Sequence, residues 1–172
     1  AYDIQKKYFI DHGTTLRGLM LHHGIKPEPF LSYVHDIDLT AIQKNNFLKK
    51  LLDNYTGKKI IFTNGTNIHA SNVLKKIGVN KSVDSIFDIA DADYIPKPEK
   101  NTYIKVIKKF NLNTPNTVMI DDIPINLKTA NQLGIKTILI KKENDKNYNY
   151  IDYISCGISD VINKLIKKEI FI

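Results

Sequence analysis

Hydrophobic residues recur at two different spacings along the chain. In the first 39 residues the apolar positions are three or four apart, as in Phe30, Tyr33 and Ile37, which is the spacing of an amphipathic helix. After about residue 40, helical stretches of this kind alternate with short, wholly apolar runs that are typical of buried parallel strands. The clearest runs lie at 58–63, 86–90, 117–120 and 137–140. The pattern predicts a small helical segment at 1–39, followed by a doubly wound α/β unit at 40–172.

Glycine residues mark where several of the predicted helices end. Gly24, Gly78 and Gly134 each follow an apolar helical stretch, where a helix C-terminus commonly adopts the left-handed conformation. The polar run at 141–150 is predicted to be a solvated loop, and a terminal helix is predicted at 158–168.

Polar residues suited to binding phosphate follow two of the predicted strands and occupy one loop. They are Thr63, Asn64 and Gly65 after the first strand, Asp121 and Asp122 after another, and Lys97 between Pro96 and Pro98. Because the carboxyl ends of parallel strands meet at one edge of a sheet, these residues are expected to converge. The hydroxyl, backbone N–H and ammonium groups would neutralise phosphoryl oxygens, and the two carboxylates would bind Mg²⁺. The sequence therefore predicts a magnesium-dependent phosphate site.

Composition narrows the range of partners. The 172 residues, of which 42% are hydrophobic, are enough for one core with a small appendage. The net charge of +7 comes almost entirely from scattered lysines, with Arg17 the only arginine, so nucleic acid is not an expected partner. No apolar run reaches the roughly 20 residues that span a bilayer. We therefore expect no membrane association and a cytoplasmic location. Cys156 is the only cysteine and is expected to be buried.

The order of these motifs resembles that of a known enzyme superfamily. An apolar strand ending in Thr-Asn, then Lys-Pro, then an apolar strand ending in Asp-Asp is similar to motifs two, three and four of the haloacid dehalogenase-like (HAD) phosphohydrolases. The resemblance is closer still to their pyrimidine 5′-nucleotidase branch and covers about residues 6–140. The segments that carry this second likeness are Gly13-Thr14-Thr15-Leu16-Arg17-Gly18-Leu19, Tyr33-Val34-His35-Asp36-Ile37-Asp38, Ile61-Phe62-Thr63-Asn64-Gly65 and Phe87-Asp88-Ile89.

The resemblance implies a fold, an activity and roles for individual residues. It implies a Rossmann-like parallel sheet at 40–172 with a small helical cap at 1–39. The implied activity is Mg²⁺-dependent hydrolysis of a small phosphomonoester, with a pyrimidine nucleoside 5′-monophosphate as the expected substrate. In that reading Thr63 binds the transferring phosphoryl group, Asn64 and Gly65 assist, Lys97 offsets charge, and Asp121 and Asp122 position Mg²⁺. Arg17 is a candidate for gripping the substrate phosphate or base, with a surface or interhelix salt bridge as the alternative.

The first motif of the superfamily has no clear counterpart in the sequence. That motif is an apolar strand ending in Asp-x-Asp-x-Thr, and it supplies the nucleophilic aspartate and the acid–base aspartate. Asp36-Ile37-Asp38-Leu39-Thr40 fits the letters, but the residues before it have helical spacing and not the apolar run of a central strand. We therefore expect an N-terminally truncated core whose first strand and nucleophile are missing. The alternatives are a non-catalytic module that binds a phosphorylated ligand or a partner, and an enzyme in which Asp36 and Asp38 serve as nucleophile and acid. Oligomeric state does not follow from the sequence.

Overall fold

The computed structural model describes residues 2–142 and 148–171, so residues 143–147 of the predicted 141–150 loop lie outside the described residues. Eight α-helices are found in the described part of the chain: α1 (Tyr2–His12), α2 (Thr15–His23), α3 (Pro27–His35), α4 (Asn46–Asn54), α5 (Asn67–Ile77), α6 (Lys100–Phe110), α7 (Pro124–Gln132) and α8 (Ile158–Ile166). The strands described are β1 (Ile60–Phe62), β2 (Ser85–Phe87), β3 (Val118–Asp121), β4 (Lys136–Ile140) and β5 (Tyr153–Ser155). A 3-10 turn at Thr114–Asn116 precedes β3.

The strands form two parallel sheets, which confirms the predicted α/β class. β1 pairs with β2, and β3, β4 and β5 pair in that order. The register sets Phe62 opposite Phe87 in the first sheet and Asp121 opposite Leu139 in the second. Helix α5 connects β1 to β2, and helix α7 connects β3 to β4, as is typical of parallel crossovers.

The two strands that lead to the predicted phosphate and metal residues are less buried than their sequences suggest. All residues of β1 and β3 are partly exposed, whereas the three central residues of β4 are buried. The sequence predicts that both strands are buried, and this is wrong for the described chain. The reason lies in the pairing: among the described residues, β1 has only β2 as a neighbour and β3 has only β4. One edge of each strand therefore lacks a strand partner.

The helical segment contacts the core through the turn between α1 and α2. Gly13 has a positive φ of 78°, and a Cβ atom there would lie 3.0 Å from the main-chain oxygen of Lys97. On the other side of this turn, Leu16 and Leu31 pack against Ile89, which follows β2. The segment thus rests on the loops at the carboxyl ends of the strands, where the predicted site lies.

Several local predictions need correction. Ile37 lies beyond α3, which ends at His35, and Ile37 and Tyr33 are exposed. Of the predicted apolar face only Phe30 packs against the core, and the buried residue of α3 is Leu31, which was not assigned to that face. Strand β5 was not predicted, because its three residues Tyr153–Ser155 follow a polar run and are too few to show a period. Cys156 is exposed and not buried. Among the described residues, no helix has the length and apolar character needed to cross a membrane.

Candidate phosphate and metal site

Lys97 joins the ends of the two sheets. Its Nζ atom donates to the main-chain oxygen of Phe62 at the end of β1, at 3.0 Å, and to Oδ2 of Asp121 at the end of β3, at 2.8 Å. The side chains of Lys97 and Asp121 are only 10% and 6% exposed. The ammonium group also lies 4.9 Å from the centre of the Phe62 ring. Residues predicted from separate parts of the sequence therefore meet at one buried ion pair.

The Asn64 side chain holds the backbone of Lys97. Its Oδ1 accepts the Lys97 N–H at 2.8 Å, and its Nδ2 donates to the Lys97 main-chain oxygen at 3.2 Å. This reciprocal pair uses both ends of the amide, so the side chain is a positioning group for Lys97. The backbone N–H of Asn64 has no acceptor within the described part of the chain, and it is free for a ligand oxygen.

Asp121 is held by four polar contacts. Oδ1 accepts the Ile123 N–H at 2.9 Å, Asn126 Nδ2 lies 3.2 Å from each carboxylate oxygen, and Oδ2 accepts from Lys97. Asn126 is buried in the first turn of α7 and its main-chain oxygen accepts from the fully buried Tyr103 hydroxyl at 2.7 Å. Burial, with a smaller contribution from the charge of Asp121, raises the pKa of Tyr103. The carboxylate is thus fixed in place and surrounded by donors.

The loop after β1 begins the turn into α5. The Thr63 hydroxyl oxygen accepts the Gly65 N–H at 2.9 Å, and Thr66 caps α5 by accepting the His69 N–H at 3.2 Å. Asp88, which follows β2, accepts the Asn67 N–H at 2.8 Å and braces the same turn. Thr63, Gly65 and Lys97 therefore lie on neighbouring loops at one edge of the sheets.

Two clefts flank this loop. An apolar groove of about 620 Å³ lies beside Asn64 and is lined mainly by residues of α1, α2 and α3, among them Phe9, Leu19 and Phe30. A more polar cleft of about 840 Å³ lies beside Thr66, between α3 and α5. The polar cleft lies between the helical segment and the α/β part, whereas the apolar groove lies mostly within the helical segment and reaches the α/β part at Asn64 and Ile89.

Some candidate residues make no contact with the Lys97–Asp121 ion pair. Arg17 lies on α2, where its N–H donates to the Thr14 hydroxyl, and its guanidinium group has no hydrogen bond or ion pair with the described residues. Asp36 follows the last residue of α3, so the residues before it form a helix and not a strand. Asp38 accepts from Thr40 in an exposed turn, and these hydrogen bonds, with a smaller effect of a nearby lysine, lower its pKa. The structure brings neither aspartate into contact with Lys97.

The carboxylates at the end of β3 fit part of a magnesium site. Asp122 is exposed and has no hydrogen-bond partner among the described residues, and Asp121 supplies a second carboxylate beside it. Mg²⁺ prefers hard oxygen ligands and commonly takes one or two carboxylates, with water and substrate phosphate completing its shell. In the described ranges, no cluster of three or more His, Cys, Asp or Glu side chains is placed to hold a metal. The donor type therefore suits Mg²⁺, and the remaining ligands would have to come from elsewhere.

Comparison with known proteins decides the family. The haloacid dehalogenase-like hydrolase family matches residues 40–134, which is more than half of the chain and includes Thr63, Lys97 and Asp121. The chain belongs to the haloacid dehalogenase-like hydrolases. The match begins where the alternating helix and strand pattern begins, and it includes both strands that end at the Lys97 ion pair.

Solved structures share the fold of this HAD-like hydrolase. L-2-haloacid dehalogenase from Xanthobacter autotrophicus aligns with a TM-score of 0.65 at 13% identity, over 95% of this chain and 83% of that chain. A HAD phosphatase from Thermococcus onnurineus aligns with a TM-score of 0.57 at 23% identity, over 84% of this chain and 65% of that chain. Identities this low establish a common fold, and the two relatives carry different names for their reactions.

Four residues near the site were not assigned a role from the sequence. They are Asn126, Asp88, His35 and Thr66. Asn126 could have been suspected, because it lies in the first turn of the helix that follows Asp121-Asp122. Asp88 follows β2 in the structure, but it lies inside the run at 86–90 that the sequence predicts as a strand, so the signal that selected Thr63 did not apply to it. His35 approaches the loop only through the packing of α3, and no spacing in the sequence indicates this.

Proposed function

We propose that this HAD-like hydrolase is a Mg²⁺-dependent phosphomonoesterase, with a pyrimidine nucleoside 5′-monophosphate as the substrate. The observation that carries the proposal is the position of Lys97 Nζ between the carboxyl ends of β1 and β3. A buried ammonium group beside a free backbone N–H and a hydroxyl can offset the charge of a phosphoryl group. Asp121 and Asp122 would hold Mg²⁺, which supplies Lewis-acid polarisation of a phosphoryl oxygen when bound.

The proposed reaction needs an attacking aspartate. An aspartate oxygen would form a bond to phosphorus while the ester P–O bond breaks, and the leaving alkoxide would take a proton from a second carboxylic acid. Water would then hydrolyse the aspartyl phosphate, releasing inorganic phosphate and restoring the aspartate. We propose that this aspartate ends a parallel strand placed between β1 and β3, from outside the 172 residues. The open edges of these strands and the location of Lys97 support that placement.

A second candidate function is binding of a phosphorylated ligand or partner without turnover. Two observations favour it: within the described ranges Asp121 is the only carboxylate in contact with Lys97, and no three-residue metal cluster is formed. A site of this composition can neutralise a phosphate, but in the described ranges its only carboxylate at the ammonium group is Asp121, the proposed Mg²⁺ ligand. The two candidates share the binding residues and differ in the presence of the attacking strand.

Turnover of UMP or CMP in two polypeptides separates the candidates. The 172-residue chain is expected to be nearly inactive, since loss of a covalent nucleophile costs on the order of 10⁴–10⁶ in rate. A polypeptide extended N-terminally by the residues encoded upstream should be active with Mg²⁺ and should lose activity on Asp121→Asn. Asp38→Asn is the matched control and should leave the rate unchanged. Phosphate binding without turnover in the extended polypeptide would favour the binding module and contradict the phosphatase.

A further inference from the structure

Two histidines from different elements meet above the loop that follows β1. His35 is the last residue of α3 and His69 lies in the first turn of α5. Their rings are stacked, with centroids 4.3 Å apart and an angle of 14° between the planes. Both residues line the polar cleft of about 840 Å³. They form one of the direct contacts between the helical segment and the α/β part at this cleft, and neither has a role in the site described above.

A hydrogen bond fixes the orientation of the His35 ring. Nδ1 of His35 lies 3.1 Å from the Thr66 hydroxyl oxygen, which also accepts the backbone N–H of His69. The Thr66 hydroxyl group has a proton that it can donate to Nδ1. In that arrangement Nδ1 of neutral His35 is unprotonated and Nε2 carries the hydrogen. The Nε2–H group is then a donor.

The Nε2 atom of His35 and the Thr63 hydroxyl group lie on the same side of Gly65. A Cβ atom placed on Gly65 would lie 3.3 Å from Thr63 Oγ1 and 3.5 Å from His35 Nε2. Because Gly65 has no side chain, no methyl group separates the two polar groups. A ligand oxygen in van der Waals contact with the Gly65 Cα on this side would approach both groups, and it would lie on the loop that we propose binds phosphate. The core and the helical segment each supply one of the two groups.

The surroundings of His35 favour its neutral form. Burial, and to a smaller extent the neighbouring His69, lowers the pKa of His35. The charged groups that line the cleft are Glu28, whose carboxylate accepts from the Tyr94 hydroxyl at 2.8 Å, and the exposed Asp36. The cleft also contains Ser32 and Asn72, so its wall suits a polar, hydroxyl-bearing group. A phosphate oxygen would thus meet His35 at the loop, and the organic part of a substrate would extend into the polar cleft.

We propose that His35 is a substrate-binding residue, whose Nε2–H donates to an oxygen of the phosphorylated ligand above Gly65. Thr66 orients the ring and His69 supports it by stacking. This inference rests on the proposed function for the nature of the ligand. It adds that binding joins the helical segment to the α/β part, because the ligand oxygen is shared between His35 and Thr63.

Inorganic phosphate with Mg²⁺ is the probe, and the full 172-residue chain is the protein. On titration with phosphate, the Nε2 and Hε2 NMR resonances of His35 should shift in step with saturation. By calorimetry, His35→Phe keeps a ring for stacking but loses the donor, and it should weaken phosphate binding about tenfold, the effect of one hydrogen bond to a charged group. Gly65→Ala adds a methyl group that contacts both Thr63 Oγ1 and His35, so it should weaken binding at least as much.

Three variants serve as controls. His69→Phe retains the stacked ring and the capping N–H, so it should bind phosphate nearly as the wild type does. His23→Phe removes a histidine that contacts Tyr8 in the helical segment, and Gly157→Ala adds a methyl group where no atom lies within 4 Å. Neither should change phosphate affinity. Thermal unfolding of each variant establishes that it is folded.

The outcomes separate this inference from the proposed function. Unmoved His35 resonances at saturating phosphate, or wild-type affinity in His35→Phe, would overturn the role of His35 while leaving Mg²⁺-dependent binding intact. Binding that responds to His35 but not to Mg²⁺ or to Asp121→Asn would support the role of His35 and count against the phosphatase. Because the resonance shift is measured on the unaltered chain, a variant that fails to fold does not remove the test.

Discussion

Replacing Lys97 by methionine tests the central claim that this side chain ties the two sheets together. Methionine has a similar length and no charge, so the change removes the contacts to Asp121 and to the Phe62 main-chain oxygen with little loss of volume. Removing one partner of a buried ion pair commonly costs about 3–5 kcal/mol, because the other charge is left without compensation. Here both side chains are at least nine-tenths buried.

The expected cost lies near the lower end of that range. Asp121 keeps its hydrogen bonds from Ile123 and Asn126 after the substitution, and these still stabilise the carboxylate. We therefore expect the free energy of unfolding to fall by about 3 kcal/mol. For a chain of this size, about 2–4 °C per kcal/mol gives a decrease in Tm of about 6–12 °C. Urea unfolding monitored by circular dichroism measures the first quantity, and calorimetry measures the second.

A double-mutant cycle identifies the source of the loss. Lys97→Met with Asp121→Asn removes both charges, so the double variant should be less destabilised than the sum of the single variants, by about 1–3 kcal/mol. Lys105→Met is the matched control, since its ion pair with Asp93 is exposed and should contribute about 1 kcal/mol or less. A Lys97→Met variant as stable as Lys105→Met, or strict additivity in the cycle, would refute the reasoning.

Three other substitutions or conditions test the surroundings of the site. Gly13→Ala should lower the free energy of unfolding by about 1–3 kcal/mol, because it adds a close contact with the Lys97 main-chain oxygen to the strain of a left-handed φ. Gly24→Ala is the control, since Gly24 also has a left-handed φ but no atom lies within 4 Å of its Cβ position. Equal losses in the two variants by urea unfolding would contradict the contact. Tyr103→Phe removes the side-chain donor to a buried main-chain oxygen of α7 and should lower the free energy of unfolding by about 1 kcal/mol, whereas no change would mean that water replaces the hydroxyl. His35 has a folded-state pKa below its usual 6.5, so its contribution to stability should be complete above that value and should decline as pH falls from 6.5 towards the folded-state pKa. NMR titration of His35 measures this pKa directly, and a midpoint at or above 6.5 would contradict the burial of the ring.

Local sequence predicted most of the elements and the residues at the strand ends. Runs such as Ile60–Phe62 and Val118–Ile120 are wholly apolar and short, which selects parallel strands, and a polar residue directly after such a run must lie at the carboxyl edge of the sheet. Thr63 and Asp121 could be named for that reason. A glycine that ends a helix can be predicted locally, because the left-handed conformation at that position favours glycine. Gly24 and Gly78 cap α2 and α5 with positive φ, as predicted.

The burial of the strands, by contrast, depended on which strands are neighbours. The same apolar runs would be covered on both edges in a continuous sheet, and in the described chain β1 and β3 each have one strand partner and stay partly exposed. Strand pairing joins residues distant in sequence, so a pattern along the chain cannot specify it. Strand β5 was missed for a related reason: it is defined by its pairing with β4 and not by its own three residues.

The sequence by itself determined membership of the haloacid dehalogenase-like hydrolases, which the family match confirms. It also indicated Thr63, Lys97 and the paired aspartates as candidate site residues, because each follows a recognisable local signal. Only the tertiary structure decided how these groups are held. The Asn64 side chain holds the Lys97 backbone from 33 positions away in the sequence. His35 approaches Gly65 from another part of the chain. These contacts depend on how α3 and the loops pack against each other in three dimensions, and a hydrogen bond between residues about 30 positions apart leaves no period or motif in the sequence.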